Sequence, residues 1–167
     1  MTRKASFAPI VDQKTKLLLL GSLPGEASLR AERYYAHPQN QFWRLIAGVL
    51  DRGDLPQLAY ADRLDALLAE GVGLWDVVAD AVRLGSLDGA IRDARHNDLR
   101  RLIERLPALR VIGFNGGTAA RIGRKLIGAA DGIVLVDLPS SSPAYTLALA
   151  EKQRRWGLLA TFLGGHP

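Results

Sequence analysis

Lys14-Thr15-Lys16-Leu17-Leu18-Leu19-Leu20-Gly21-Ser22-Leu23-Pro24-Gly25 is the stretch from which the fold is read. A run of leucines closed by Gly and Pro suits a strand buried on both faces, as in the middle of a parallel sheet, and Lys14–Ser22 is assigned as such a strand. Farther along, Val72–Val78, Leu109–Phe114 and Gly132–Val136 are apolar and β-branched runs that give three more strands. Helices fall between them. In Gln41–Leu50 the residues Phe42, Leu45, Ile46, Val49 and Leu50 recur at helical spacing behind Asn40, a capping residue type. Gln57–Ala69 is a second helix, Asp88–Ala94 a short one, and Asn97 caps another that ends at Leu106 before Pro107. Gly116 and Gly117 open a helix to about Leu126. Tyr145–Leu163 closes the chain as an amphipathic helix with Leu149, Trp156 and Leu159 inward. This alternation predicts an α/β fold, a three-layer α/β/α arrangement around a four-stranded parallel sheet with right-handed crossovers. One domain is expected over residues 1–167, with residues 1–13 as a flexible N-terminal extension.

Composition narrows the function classes. The chain has 167 residues, 48% of them hydrophobic, enough for one proper core and too few for two. It has no cysteine, so neither a disulfide nor a thiolate-held metal is available. The polar Met1–Lys16 lacks the apolar core of a signal peptide, and Leu17–Leu20 is far too short to span a bilayer. A cytoplasmic protein without membrane contact is expected. Lys and Arg number 22 against 17 Asp and Glu, a net charge of +5, which favours a polyanionic partner such as nucleic acid. Much of the arginine (Arg100, Arg101 and Arg105; Arg121 and Arg124) sits at helical spacing among Leu and Ile and reads as solvated helix face. His37, His96 and His166 share no ligand spacing, so no metal and no other cofactor is expected.

In open parallel sheets the ligand crevice lies beyond the carboxyl ends of the strands. Three loops leave strands at that edge: Gly21–Gly25, Asn115–Thr118 and Pro139–Pro143. Built from Gly, Ser and Pro, they let backbone amides approach a ligand, and the second opens onto a helix N-terminus suited to phosphate. Any one of them alone reads as a simple turn; the three together point to a site. No G-x-S-x-G, P-loop or G-x-G-x-x-G pattern is present, which removes support for nucleophile-elbow hydrolysis, nucleotide hydrolysis and dinucleotide binding.

Beside the first loop lies Tyr34-Tyr35-Ala36-His37-Pro38-Gln39-Asn40-Gln41-Phe42-Trp43. A base rotated out of a duplex needs an aromatic platform and an amide to read its polar edge, and this segment supplies both. Phe42 and Trp43 begin an amphipathic helix and are expected in the core, which leaves Tyr35 and Asn40 as the functional candidates. His37 is read as a structural or hydrogen-bonding residue.

With these motifs in order, the chain resembles the uracil-DNA glycosylase superfamily, and within it the hypoxanthine-DNA (deoxyinosine) glycosylases. The resemblance rests on Gly21–Gly25, Tyr34–Trp43, Phe114-Asn115-Gly116-Gly117-Thr118 and Leu138-Pro139-Ser140-Ser141-Ser142-Pro143; mismatch-specific uracil/thymine glycosylases share the first two. Two departures matter. Related branches carry Asn or Asp where this chain has Leu23, and His or Asn where it has Leu138, so neither of those usual polar groups is available. In the hypoxanthine branch the essential amide is the Asn of H-P-x-N, which is Asn40 here.

The resemblance implies a monofunctional glycosylase of base excision repair that flips a deaminated base, hypoxanthine or uracil, from double-stranded DNA and hydrolyses its N-glycosidic bond with water. Asn40 is the expected catalytic residue. Ser22, Leu23, Tyr35 and Asn115 would bind the base. Gly21, Pro24, Gly25, Gly116, Gly117, Ser140, Ser141, Ser142 and Pro143 would hold DNA, with Pro143 and Ala144 where relatives push a wedge into the duplex. Asn40 also has a plain role as helix cap, and Asn115 as a turn residue. No lysine falls within the three loops, which argues against a Schiff-base route. A monomer is expected. Two other classes fit less of the chain: a non-catalytic nucleic-acid or nucleotide binder on the same fold, and a small hydrolase using Ser22 or Ser140, neither of which has an evident base in the sequence.

Overall fold

The four leucines Leu17, Leu18, Leu19 and Leu20 are all fully buried and divide between two cores. Leu17 and Leu19 join Phe42, Leu45, Ile46 and Trp156 on one side of the sheet. Leu18 and Leu20 join Leu99, Ile112, Phe114 and Ala119 on the other. Successive side chains of a strand point to opposite faces, so a strand apolar at every position must be covered twice.

The computed structural model describes residues 2–164. The strands and helices in chain order are β1 (Arg3–Ala5), β2 (Leu17–Gly21), α1 (Glu26–Ala31), α2 (Phe42–Leu50), α3 (Tyr60–Ala69), β3 (Val72–Asp76), β4 (Val78–Val82), β5 (Arg92–His96), α4 (Leu99–Glu104), β6 (Val111–Asn115), α5 (Gly117–Ile127), β7 (Val134–Leu138) and α6 (Leu149–Gly157). Short 3₁₀ turns lie at Leu55–Gln57, Asp88–Ala90 and Leu158–Leu163. Strands β3, β2, β6 and β7 form, in that order, a parallel sheet, with Leu17 opposite both Val72 and Val111. Helices α2 and α6 pack together on one face, α4 and α5 on the other, as the three-layer reading predicts. No described helix is long and apolar enough to cross a membrane.

A second sheet is new. β1, β4 and β5 form an antiparallel sheet in the order β1-β4-β5. Within residues 1–13, Arg3 pairs with Val82 and Ile10 bridges Leu74, so this stretch is tied to the domain at two points. The single strand expected over Val72–Val78 divides at Val77. There the chain leaves the parallel sheet, with the Val77 and Val78 amides donating to the carbonyls of Gly21 and Ser22 (2.8 and 3.0 Å). Asp88–Ala94, expected as a helix, is a 3₁₀ turn running into β5. β5 is a charged, largely exposed edge strand held by backbone pairing, so it shows no apolar alternation.

Three helix ends also move. Asp98, rather than Asn97, caps α4, its side chain accepting from the Arg101 amide at 3.1 Å. Asn97 instead donates from Nδ2 to the Asp76 carbonyl (2.7 Å) and so holds the end of β3. The last helix begins at Leu149, leaving Tyr145–Ala148 in the preceding loop, and its final turns are 3₁₀. The helix expected from Gln57 starts at Tyr60, after a turn that contains Pro56. Tyr145–Ala148 thereby extends the third loop.

Candidate active site

One cavity of about 470 Å³ opens at the carboxyl edge of the parallel sheet, where the three loops meet. Its walls bring together Ser22 and Leu23 from the first loop, Tyr35 and Asn40 from the aromatic segment, Asn115 from the end of β6, and Ser140 to Pro143. Gly21, Pro24 and Gly25 line it as well. Gly116 and Gly117 lie outside that lining. Gly116, at φ 103°, packs the second loop on the third: a Cβ there would stand 3.1 Å from the Cβ of Ser140. His166 lies outside the described residues.

Each loop is fastened to its neighbour. The Asn115 amide donates from Nδ2 to Ser141 Oγ and accepts at Oδ1 from the Ser141 amide, both at 2.9 Å. The Gln41 amide donates to the Ser141 carbonyl (2.9 Å), which joins the aromatic segment to the same loop. Beneath it, the buried Lys152 ammonium donates to Gln41 Oε1 (2.8 Å) and the Ser142 carbonyl (3.3 Å), and the Trp156 indole donates to the Pro139 carbonyl (2.9 Å). Burial lowers the pKa of Lys152, but its ammonium is held under the loop and the residue does not line the cavity.

Asn40 has a defined orientation. Its Oδ1 accepts from the amide of Phe42, the first residue of α2, at 2.9 Å. An amide oxygen carries two lone pairs, so this bond fixes the group and leaves one acceptor site. The N-cap position is Gln41, not Asn40 as the sequence suggested; Asn40 stands one residue earlier and ties back to the first amide of the helix in a tight turn, which leaves it free for a role in the crevice as well.

Tyr35 sits in the left-handed region (φ 54°), with its ring stacked on Phe42 at 3.9 Å between centroids and 12° between planes. One ring face is therefore covered. Burial holds its phenol well above the ordinary range, and the hydroxyl has no hydrogen-bond partner. Phe42 and Trp43 are core residues as expected, at 0% and 6% exposure. Leu23 and Leu138 are likewise buried, Leu23 with its side chain in the core under the first loop.

The sequence reading missed the fourth wall. The turn between β4 and β5 overhangs the cavity with Ser86, Leu87 and Asp88. It grips the first loop at several points. Arg83, 2% exposed, donates to the carbonyls of Pro24 (2.5 Å), Gly85 (2.8 Å) and Leu23 (3.4 Å). Ser22 Oγ donates to Asp88 Oδ1 (2.6 Å), and the Glu26 amide donates to Ser86 Oγ (2.9 Å). Replacing Arg83 with Met, which is apolar and of similar reach, strips three carbonyls of a buried donor. The variant is expected to lose about 1–3 kcal/mol of stability in urea unfolding. A loss confined to a few tenths would show that the turn does not depend on this clamp.

Asp76 is the other residue missed. It ends β3, pairs in register with Gly21 and is 4% exposed, yet Oδ2 has no hydrogen-bond partner. Burial, with the Asp88 carboxylate adding and Arg83 opposing, pushes its carboxyl up to about 7. A Cβ at residue 21 would stand 2.6 Å from Asp76 Oδ1 and 3.1 Å from the Tyr35 hydroxyl, so only glycine lets these two groups close on the strand end. The signal was an acid inside a buried apolar strand, a placement that calls for an explanation by itself.

A four-stranded parallel sheet between two helical layers, with a walled crevice of amide, phenol and carboxyl groups at its carboxyl edge, defines an α/β protein with a ligand-sized site at the strand ends. The uracil DNA glycosylase superfamily pattern matches the chain over residues 8–162. The chain is 37% identical to a hypoxanthine DNA glycosylase of Methanosarcina barkeri over 92% of its length and 96% of that protein's. It is 38% identical to one of Methanosarcina acetivorans over 92% and 95%. A candidate uracil DNA glycosylase from Methanosarcina acetivorans, solved in solution by NMR, superposes with a TM-score of 0.86 at 36% identity, covering 98% of this chain and all of that one. The chain belongs to the uracil DNA glycosylase superfamily.

Proposed function

We propose that this DNA glycosylase extrudes a deaminated base, hypoxanthine or uracil, from double-stranded DNA into the crevice and hydrolyses its N-glycosidic bond, the first step of base excision repair in the cytoplasm. The observation that carries the reading is the convergence of Ser22, Tyr35, Asn40 and Asn115, from distant parts of the sequence, on one cavity. Asn40 holds the attacking water through the lone pair of Oδ1 that Phe42 leaves free. Asn115 offers its remaining amide hydrogen to the base edge, Tyr35 its free ring face, and Ser22 and Leu23 backbone groups. Gly21, Pro24, Gly25, Gly116 and Gly117 and the serines Ser140, Ser141 and Ser142 seat the DNA strand, and exposed Pro143 and Ala144 enter the gap in the duplex.

Breaking the bond places positive charge on the sugar and negative charge on the base. An amide is a poor base, so acceleration comes from positioned water and fixed dipoles. With the Lys152 ammonium engaged by Gln41 and Ser142, attack by water without strand cleavage is the favoured course. The enzyme acts as a monomer. The buried leucines at positions 23 and 138 keep a second reading in play, a binder without chemistry.

Single-turnover incubation with a duplex carrying one hypoxanthine or one uracil separates the two. Free base and an alkali-labile site are expected, with the strand intact before alkali. A mobility shift with no labile site would replace the enzyme with the binder.

A further inference from the structure

Among the described residues, Asp76 is the one buried carboxyl that lines the crevice with an unpartnered oxygen, and the water-positioning scheme built on Asn40 does not use it. We infer that Asp76 is the acid for the departing base: its protonated carboxyl lies against the flipped base and passes its proton to it as the glycosidic bond breaks. This rests on the reading of the crevice as a base-removal site. The bond from sugar C1′ to the base nitrogen breaks with its electron pair going to the base, and the Asp76 proton neutralises that charge. Water adds its oxygen to C1′, its proton is released, and the Asp76 carboxylate regains one, so the enzyme returns unchanged.

Three features support the assignment. Asp76 stands at the carboxyl end of β3, beside Gly21, where the loops converge. The absence of a Cβ at Gly21 keeps the carboxyl and the Tyr35 hydroxyl clear of the strand. Among the described residues no cation is paired with it: the Arg83 guanidinium is spent on the carbonyls of Leu23, Pro24 and Gly85, and Asn97 binds its backbone only. The titratable groups that bear on it from neighbouring elements are Tyr34 and Tyr35, both held neutral by burial, Asp88, which disfavours its ionisation, and Arg83, which favours it. The balance places its titration at about 7, where an acid can both hold and give up a proton near neutrality. A purine that departs as an anion gains most from such a donor.

The test is the pH dependence of single-turnover base release from a hypoxanthine duplex, measured for the wild-type protein and for Asp76→Asn, which keeps the shape and a hydrogen-bond donor but has no transferable proton. The wild-type rate is expected to fall about tenfold per pH unit above about 7, and the Asn variant to be flat and at least about tenfold slower at about pH 6. Matching profiles for the two proteins would overturn the inference while leaving base removal standing. If the Asn variant does not fold, the wild-type profile decides: a rate level from about pH 6 to 9 removes Asp76 as the acid. Failure of the wild-type protein to release base at any pH would overturn the underlying reading as well.

Discussion

Asn40→Ala is expected to release base about 10²–10³-fold more slowly than wild type in single turnover while binding the same duplex normally, the usual loss when one preorganised polar group at a reacting centre is removed. The side chain has two jobs that the substitution removes together. As an acceptor for the Phe42 amide it steadies the entry to α2, and losing one such hydrogen bond costs about 0.5–1.5 kcal/mol. That cost leaves most of the protein folded, since domains hold about 5–15 kcal/mol in total. Asn40→Ser separates the jobs. Serine can make the same kind of turn bond to the Phe42 amide, so stability is expected to stay near wild type, but its hydroxyl stops short of where the amide ends, and the rate is expected to remain low. Retention of the wild-type rate in Asn40→Ala, with normal binding, would reduce Asn40 to a turn residue at the entry to α2.

Phe42→Ala is expected to cost about 3–5 kcal/mol in urea unfolding, the range for emptying a fully buried aromatic position. Phe42 is 0% exposed, stacks on Tyr35, and meets Trp43 and Trp156 edge to face at 5.0 and 5.9 Å. Such ring pairs add about 0.5–1.5 kcal/mol beyond the buried area. The loss also reaches the crevice. Tyr35 has left-handed backbone dihedrals, which an L-residue holds at a cost of about 1–2 kcal/mol and only when its surroundings insist. The Phe42 ring beneath it is a large part of that insistence. Base release is therefore expected to fall in Phe42→Ala even at temperatures where the variant is folded. A stability change under about 1 kcal/mol would mean that the core closes over the gap.

The parallel sheet was legible because three of its four strands are apolar on both faces, whereas the edge strand β7 is only partly buried and begins two residues later than Gly132, where its apolar run was read to start. β2, β3 and β6 are made almost wholly of buried residues, which leaves continuous apolar runs in the sequence. The second sheet was not. β1 is Arg3-Lys4-Ala5 and β5 is Arg92-Asp93-Ala94-Arg95-His96, short edge strands whose pairing is carried by the backbone and leaves no pattern in the side chains. The site divides along the same line. Tyr35 and Asn40 sit in a loop of unusual composition and Asn115 at a strand end beside another, and the structure gathers them in one cavity. Arg83, Ser86 and Asp88 belong to the turn of the sheet that was missed, so their reach to the first loop had no precursor in the sequence reading. Asp76 was hidden in plain view, counted as part of a strand rather than as the charge at its end.

The position of β2 between β3 and β6 has a consequence for how the protein is made. The chain is synthesised from its N-terminus, so Leu17 to Leu20 emerge early, yet their partners are Val72 to Trp75 on one side and Val111 to Phe114 on the other. Until the ribosome has passed Phe114, the most apolar segment of the polypeptide has at least one unpaired edge. Long-range parallel pairing of this kind is slow and leaves sticky intermediates, which are the species that aggregate. A strand made early is thus completed only when β6 arrives, and a nascent chain stalled before Phe114 would be a natural client for a chaperone.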